Sequence, residues 1–104
     1  MIKVVSIWAL PAGMKEAEFE AWYIGKHVGD AQKIPGLRRY SINQVVPEER
    51  ANSKFYRMAE LSFDTIEAAR AAFESPEWKY AFADAKRYIG DFMRFYFDSK
   101  DIVR

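Results

Sequence analysis

The stretch FYRMAELSFDTIEAARAAFES, Phe55–Ser75, changes period in its middle. Up to Phe63 it alternates. Ala59, Leu61 and Phe63 fall on one side, and Tyr56, Met58, Glu60 and Ser62 on the other, which is the pattern of a strand. After Phe63 comes an alanine-rich run that reads as a helix. Asp64 or Thr65 is its N-cap and Glu67 sits in its first turn. The helix restarts at SPEW: Ser75 caps, Pro76 takes the first helical position, and Glu77 follows. This second piece runs to about Tyr88, Gly90 stops it, and Asp91–Phe97 is a last strand.

Upstream, the same order appears once more. Ile2–Leu10 is β-branched and apolar, and ends at Pro11-Ala12-Gly13. Lys15 to about Ile34 has helical spacing at Phe19, Trp22, Tyr23, Lys26 and His27, with a break or kink expected near Gly25 or Gly29. Ile34-Pro35-Gly36 ends it. Leu37–Val46 is a strand, and the polar, proline-led residues 47–54 form an exposed loop. The order β-α-β-β-α-β predicts an α+β, ferredoxin-like domain over residues 1–104. Four antiparallel strands would carry both helices on one face.

Composition narrows the function. The 16 basic and 15 acidic residues nearly cancel, leaving a net charge of +1. Nucleic-acid binding needs a clustered basic excess, and the pairs Arg38–Arg39 and Lys86–Arg87 do not supply one. The absence of cysteine removes thiolate nucleophiles, disulfides and thiolate metal sites. One histidine makes a metal site unexpected. No glycine-rich phosphate loop is present, so no cofactor is expected. The first ten residues read as a strand and not as a signal peptide, and no apolar run reaches the roughly 20 residues of a membrane span. The expectation is a cytoplasmic protein without a membrane partner.

Alternation sorts the sheet into two predicted faces. One set is Val5, Ile7, Tyr40, Ile42, Ala59, Leu61, Phe63, Met93, Phe95 and Phe97, nearly all apolar and assigned to the helix-covered core. The other mixes Val4, Ser6, Trp8, Arg39, Ser41, Asn43, Val45, Tyr56, Met58, Glu60, Ser62, Phe92, Arg94 and Tyr96. Large aromatics beside Asn, Glu and Arg suit a pocket wall. An ordinary amphipathic face is the alternative.

A family resemblance rests on Tyr23-x-x-Lys26-His27, Ile34-Pro35-Gly36-Leu37-Arg38-Arg39-Tyr40, Ala59-Glu60-Leu61-x-Phe63-Asp64, Ser75-Pro76-Glu77 and Ala83-Asp84. Together these resemble the EthD family of dimeric α/β-barrel proteins over nearly the whole chain. Val28-Gly29 stands where that family usually carries a Pro-Leu-like pair. The resemblance implies a homodimer formed by pairing two sheets, with a pocket between sheet and helices in each subunit. It also implies chemistry on ether-derived, aromatic, lactone or polyketide-like compounds. Its relatives include cofactor-free monooxygenases, lactone isomerases and dehydratases or cyclases.

His27 is the leading catalytic candidate. Tyr23 lies four residues before it on the same helix face, and Asp30, three residues after it, can orient the ring or raise its pKa. An imidazole near neutrality serves as general base or acid; the alternative is a histidine packed structurally near a helix end. The resemblance favours the working role. Tyr23 is the second catalytic candidate, a hydrogen-bond donor to substrate oxygen. Trp8, Tyr40, Asn43, Glu60, Asp84 and Tyr88 are the substrate-binding candidates. Asn43 would stabilise oxygen charge, and Glu60 would pair with Arg39 or Arg94. Asp84 would complete a His–Asp pair, or simply sit on the helix surface. The expected function is cofactor-independent oxidoreductase or proton-transfer chemistry on a small apolar or aromatic ligand. The alternatives are a non-catalytic carrier of such a ligand, and a face wholly consumed by dimerisation.

Overall fold

Four strands appear in the predicted order in the computed structural model, which describes residues 1–103. They are β1 (Ile2–Trp8), β2 (Arg39–Gln44), β3 (Arg57–Phe63) and β4 (Phe92–Asp98). Sheet order is β2-β3-β1-β4 and every pairing is antiparallel. The helices lie on one face: α1 (Glu16–Trp22), α2 (Val28–Ala31), α3 (Ile66–Phe73) and α4 (Pro76–Ala85). This is the ferredoxin-like α+β arrangement. Residues 47–52, expected as plain loop, wind into a short 3₁₀ segment led by Pro47.

Capping chemistry sets the α3 and α4 boundaries. Thr65 Oγ1, not Asp64, accepts from the Ala68 backbone N–H at 3.0 Å. Asp64 instead accepts two hydrogen bonds from Arg38. Ser75 Oγ accepts from the Trp78 N–H at 3.2 Å, with Pro76 inside the turn as expected. Gly90 does more than stop a helix. A Cβ there would lie 2.8 Å from the carbonyl oxygens of both Ala9 and Leu10, so only glycine lets the chain pass against the end of β1.

The expected break between Lys15 and Ile34 is a π-helical turn, Tyr23–His27, with Gly25 inside it. The Val28 N–H bonds to the Tyr23 carbonyl, five residues back. Such wide turns often mark functional segments. Its effect here is concrete. Trp22 and His27, five apart in sequence, meet ring to ring at 4.8 Å, and Tyr23 stacks on His27 at 5.6 Å. All three side chains are buried.

The predicted sheet faces need correction in two strands. β2 and β3 divide as expected, but β1 and β4 are inverted. Register places Gln44, Arg57, Trp8 and Phe92 in one row on the helix side. The next rows are Ile42, Ala59, Ser6, Arg94 and then Tyr40, Leu61, Val4, Tyr96. The open face carries Asn43, Met58, Ile7, Met93; Ser41, Glu60, Val5, Phe95; and Arg39, Ser62, Lys3, Phe97. Tyr56, just before β3, also packs inward, edge-on to Phe19 at 5.5 Å. Hydrophobic alternation fails in β1 because Val4-Val5 and Ile7-Trp8 are apolar on both faces. In β4 it fails because the one cation is the inward residue. Among the described residues no helix is long and apolar enough to cross a membrane.

Candidate functional site

The helix side of the sheet is not fully filled. The row Ile42–Ala59–Ser6–Arg94 has its two smallest side chains at the centre. Above it the helical layer also contributes small residues, Ala31 and Ala85. Four short side chains facing each other leave a gap of about 30 Å³, room for about one water. Tyr23, His27, Tyr40 and Leu61 line one part of it, and Trp78, Phe82, Ile89 and Phe92 another. Trp8, Ser6 and Arg94 complete the wall. A surface depression of about 160 Å³, lined by Phe82, Lys86, Ile89, Gly90 and Phe92, shares three residues with the gap. Phe82, Ile89 and Phe92 therefore form the partition between the gap and solvent.

The polar atoms decide what this gap is for. Among the described residues, the buried side-chain nitrogens and oxygens without a hydrogen-bond partner are Trp8 Nε1, Tyr23 Oη, His27 Nδ1, Arg94 Nε and Arg94 Nη2. All five belong to side chains that line this one gap. Buried polar groups are normally paired, because an unpaired one costs about 1–3 kcal/mol. Five at one place make this gap the candidate site.

Their ionisation states follow from burial. His27 was expected near neutrality with Asp30 beside it. Burial instead lowers it to about 4, against smaller upward pulls from the Asp30 and Asp84 charges. Its imidazole is therefore neutral at pH 7 and free to accept a proton. Burial pushes the Tyr23 phenol far above its usual range, and adjoining Tyr40 adds to the effect. Tyr40 is raised by burial too. Both stay protonated and can donate.

Behind the gap lies a polar brace. Trp22 Nε1 donates to Asp84 at 2.6 Å, and Tyr88 stacks on the Trp22 ring at 4.3 Å, nearly parallel. Lys26 Nζ donates to Asp30 at 2.8 Å, to the Tyr80 hydroxyl at 3.1 Å and to Asp84 at 3.3 Å. The Trp22 bond holds the Asp84 carboxyl below its usual range. Asp84 and Tyr88 thus hold Trp22, and Trp22 holds the His27 ring. Asp84 makes no hydrogen bond to His27, and Asp30 is spent on Lys26, so neither forms the His–Asp pair considered above.

Of the other candidates, Trp8 and Tyr40 line the gap with His27 and Tyr23. Asn43 and Glu60 lie on the opposite face of the sheet. Asn43 donates to Glu60 and to the Met58 carbonyl, each at 3.2 Å, and the Glu60 partner is Lys3 at 3.3 Å, not Arg39 or Arg94. Arg94, which the sequence offers only as a partner for Glu60, lines the gap itself. Its signal was present: a single cation inside FMRFYF, an otherwise aromatic-rich strand. Among the described residues no three His, Asp or Glu side chains gather as a metal-binding group.

Comparison with known proteins matches the EthD domain model to residues 11–91. An uncharacterized 11.0 kDa protein of the thcB–thcC intergenic region of Rhodococcus erythropolis is 28% identical over 103 residues, covering 99% of this chain and 98% of that one. The crystal structure of an ethyl tert-butyl ether D (EthD) family protein from Bacillus halodurans superposes with a TM-score of 0.83 at 26% identity. It covers 96% of this chain and 99% of its own. SnoaB, a cofactor-independent oxygenase from Streptomyces nogalater, shares the fold at 13% identity, with a TM-score of 0.73 over 98% of this chain and 95% of its own.

Proposed function

The chain belongs to the EthD domain family, and from that premise we propose that it is a cofactor-independent enzyme moving a proton on a flat, apolar small molecule. The observation that carries this reading is the convergence of five unpaired buried polar atoms on one gap that holds a neutral histidine. His27 takes a proton from an acidic C–H or O–H. Charge then develops on substrate oxygen, where Tyr23 and Trp8 supply donors in a dry setting. The anion beside the ring offsets the burial that depresses the His27 pKa, so the base strengthens as the proton moves. With O₂ as co-substrate, the same anion leads from CH₂ to C=O. One oxygen atom enters the product and the other leaves as water with the two hydrogens. The likeness in fold to a cofactor-independent oxygenase supports that route.

The gap holds about one water as it stands, so this reading includes outward movement of Phe82, Ile89 and Phe92 to admit a ring. Its test needs a ligand with an activated methylene. 2-Tetralone in D₂O under nitrogen should exchange its C1 protons faster with the protein than with buffer, followed by NMR. Saturable binding without faster exchange would make the gap a carrier site and end the catalytic reading.

The same proposal includes a homodimer formed through the open face. Met93, Phe95 and Phe97 there are each more than 40% exposed, and they adjoin Val5, Ile7 and Met58 across the sheet. A contiguous apolar sheet face of this kind is a contact surface, and a chain of 104 residues gains from sharing it. Phe95→Glu, in the row with Glu60, should halve the mass seen in sedimentation while leaving the far-UV spectrum unchanged. A wild-type protein that sediments as a monomer at micromolar concentration overturns the dimer.

A further inference from the structure

Arg94 takes no part in the proton transfer itself, yet two of the five unpaired atoms are its own. It stands on edge strand β4 and points to the helix side, where its guanidinium carbon lies 4.9 Å from the ring centres of Phe73 and Trp78. Phe92 is at 5.2 Å and Phe82 at 5.7 Å. Four ring faces hold a cation but accept no N–H bonds along its edge. Nε and Nη2 are both buried and unpaired. These two atoms form one edge of the guanidinium, the side-on fork that fits a carboxylate with two parallel bonds.

Two other arginines of this chain show what that edge takes. Arg38 uses Nε and Nη2 to hold the Asp64 carboxylate. Arg57 uses the same two atoms to hold Glu20. Arg94 offers the same fork without a carboxylate, inside the cavity. We propose that Arg94 anchors a carboxylate carried by the substrate, so that the ligand class is a flat apolar or aromatic carboxylic acid. This rests on the gap being the ligand site, as argued above. The apolar body would lie against Leu61, Ile89 and the small residues Ala31, Ala59 and Ala85. The gap as it stands holds about one water, so entry of the acid requires Phe82, Ile89 and Phe92 to swing apart and join it to the depression of about 160 Å³ outside, where Lys86 favours an anion. An uncompensated buried cation is unfavourable, and an incoming carboxylate relieves it.

Calorimetric titration of the full chain with 1-naphthoate and with 1-naphthamide tests this. The acid and the amide share shape and differ in charge. Wild type should bind the acid at least tenfold more tightly. Arg94→Gln should lose that advantage and hold the amide within about twofold of wild type. Arg94→Lys, which keeps a cation over the rings but not the fork, should fall between them and guards against misfolding of the glutamine variant. Equal affinity for acid and amide in wild type, or an acid affinity untouched by Arg94→Gln, overturns the anchor while leaving the gap a site for neutral aromatics. Binding of neither compound overturns the anchor and the ligand site together.

Discussion

His27→Gln is expected to lower the rate of 2-tetralone exchange by about 10²–10⁴-fold, the usual contribution of a positioned general base. Glutamine keeps much of the ring's volume between Trp22 and Tyr23, so the urea midpoint should stay close to wild type. His27→Ala should show the same loss of rate with some loss of stability from the void. The pH profile separates a base from a packing residue. The working form is the neutral imidazole, and burial places its pKa near 4. Activity should therefore hold from pH 7 down to about 5 and fall with an inflection near 4. An ordinary solvent-exposed histidine would have lost it near its unperturbed value of about 6.5. A His27→Gln protein that is folded and exchanges at the wild-type rate removes His27 from the chemistry.

The fold was legible because its signals are local. The period change at Asp64-Thr65, the Ser75-Pro76 cap and the Ile34-Pro35-Gly36 stop each act within a few residues. The order of elements followed from them. What alternation could not resolve was which way β1 and β4 face. In β1, apolar side chains occupy both sides, so no period distinguishes them. In β4, the apolar set Met93, Phe95 and Phe97 reads as the helix-covered core, which puts Arg94 on the mixed face away from the helices. Here the charge is inside, held by four rings, and hydrophobicity points the wrong way. A sequence pattern assumes that polar means outside, and functional sites are where that assumption fails.

The same failure explains the candidate site. His27 and Tyr23 were legible as a pair four residues apart, although the turn that joins them is π and not α. The sequence puts Asn43 and Glu60 on a pocket wall because their set also holds Trp8, Tyr56 and Phe92, but those aromatics face the helices while Asn43 and Glu60 lie on the open face. Their bonds to each other, to Met58 and to Lys3 already satisfy them. The gap itself was invisible. It exists because Ser6 and Ala59 sit side by side across two strands and opposite Ala31 and Ala85, a coincidence of register and helix placement that no single segment records.

Glu20→Ala should destabilise the protein by about 3–5 kcal/mol, read as a large drop in urea midpoint at pH 7. Glu20, on α1, accepts hydrogen bonds from the Tyr56 hydroxyl at 2.7 Å, from Arg57 Nε at 3.1 Å and from Arg57 Nη2. Arg57 is only 6% exposed and sits 4.8 Å over the Tyr23 ring. Removing the carboxylate leaves a buried guanidinium with no counter-charge, which is the costly half of a broken pair. Breaking the exposed Arg38–Asp64 pair by Asp64→Ala should cost about 1 kcal/mol or less, since both side chains there are more than half exposed. The acid limb follows from the same contacts. Burial raises the Glu20 pKa, but the Arg57 and Tyr56 bonds and the Arg57 and Arg50 charges outweigh it and hold it below 4.5. A carboxylate depressed in the folded state contributes its full stability above its unfolded pKa and loses it as pH falls through the folded value. Wild type should therefore begin to weaken below about pH 6.5, where unfolding lets buried His27 take up a proton, and Glu20 should steepen the loss below about pH 4.5, a steepening that Glu20→Gln removes. Because Arg57 lies over Tyr23, the loss should reach the site as well, with weaker ligand binding before global unfolding. An unchanged urea midpoint in Glu20→Ala would show that Arg57 finds water or another partner, and that the α1–β3 pair does not hold Tyr23 in place.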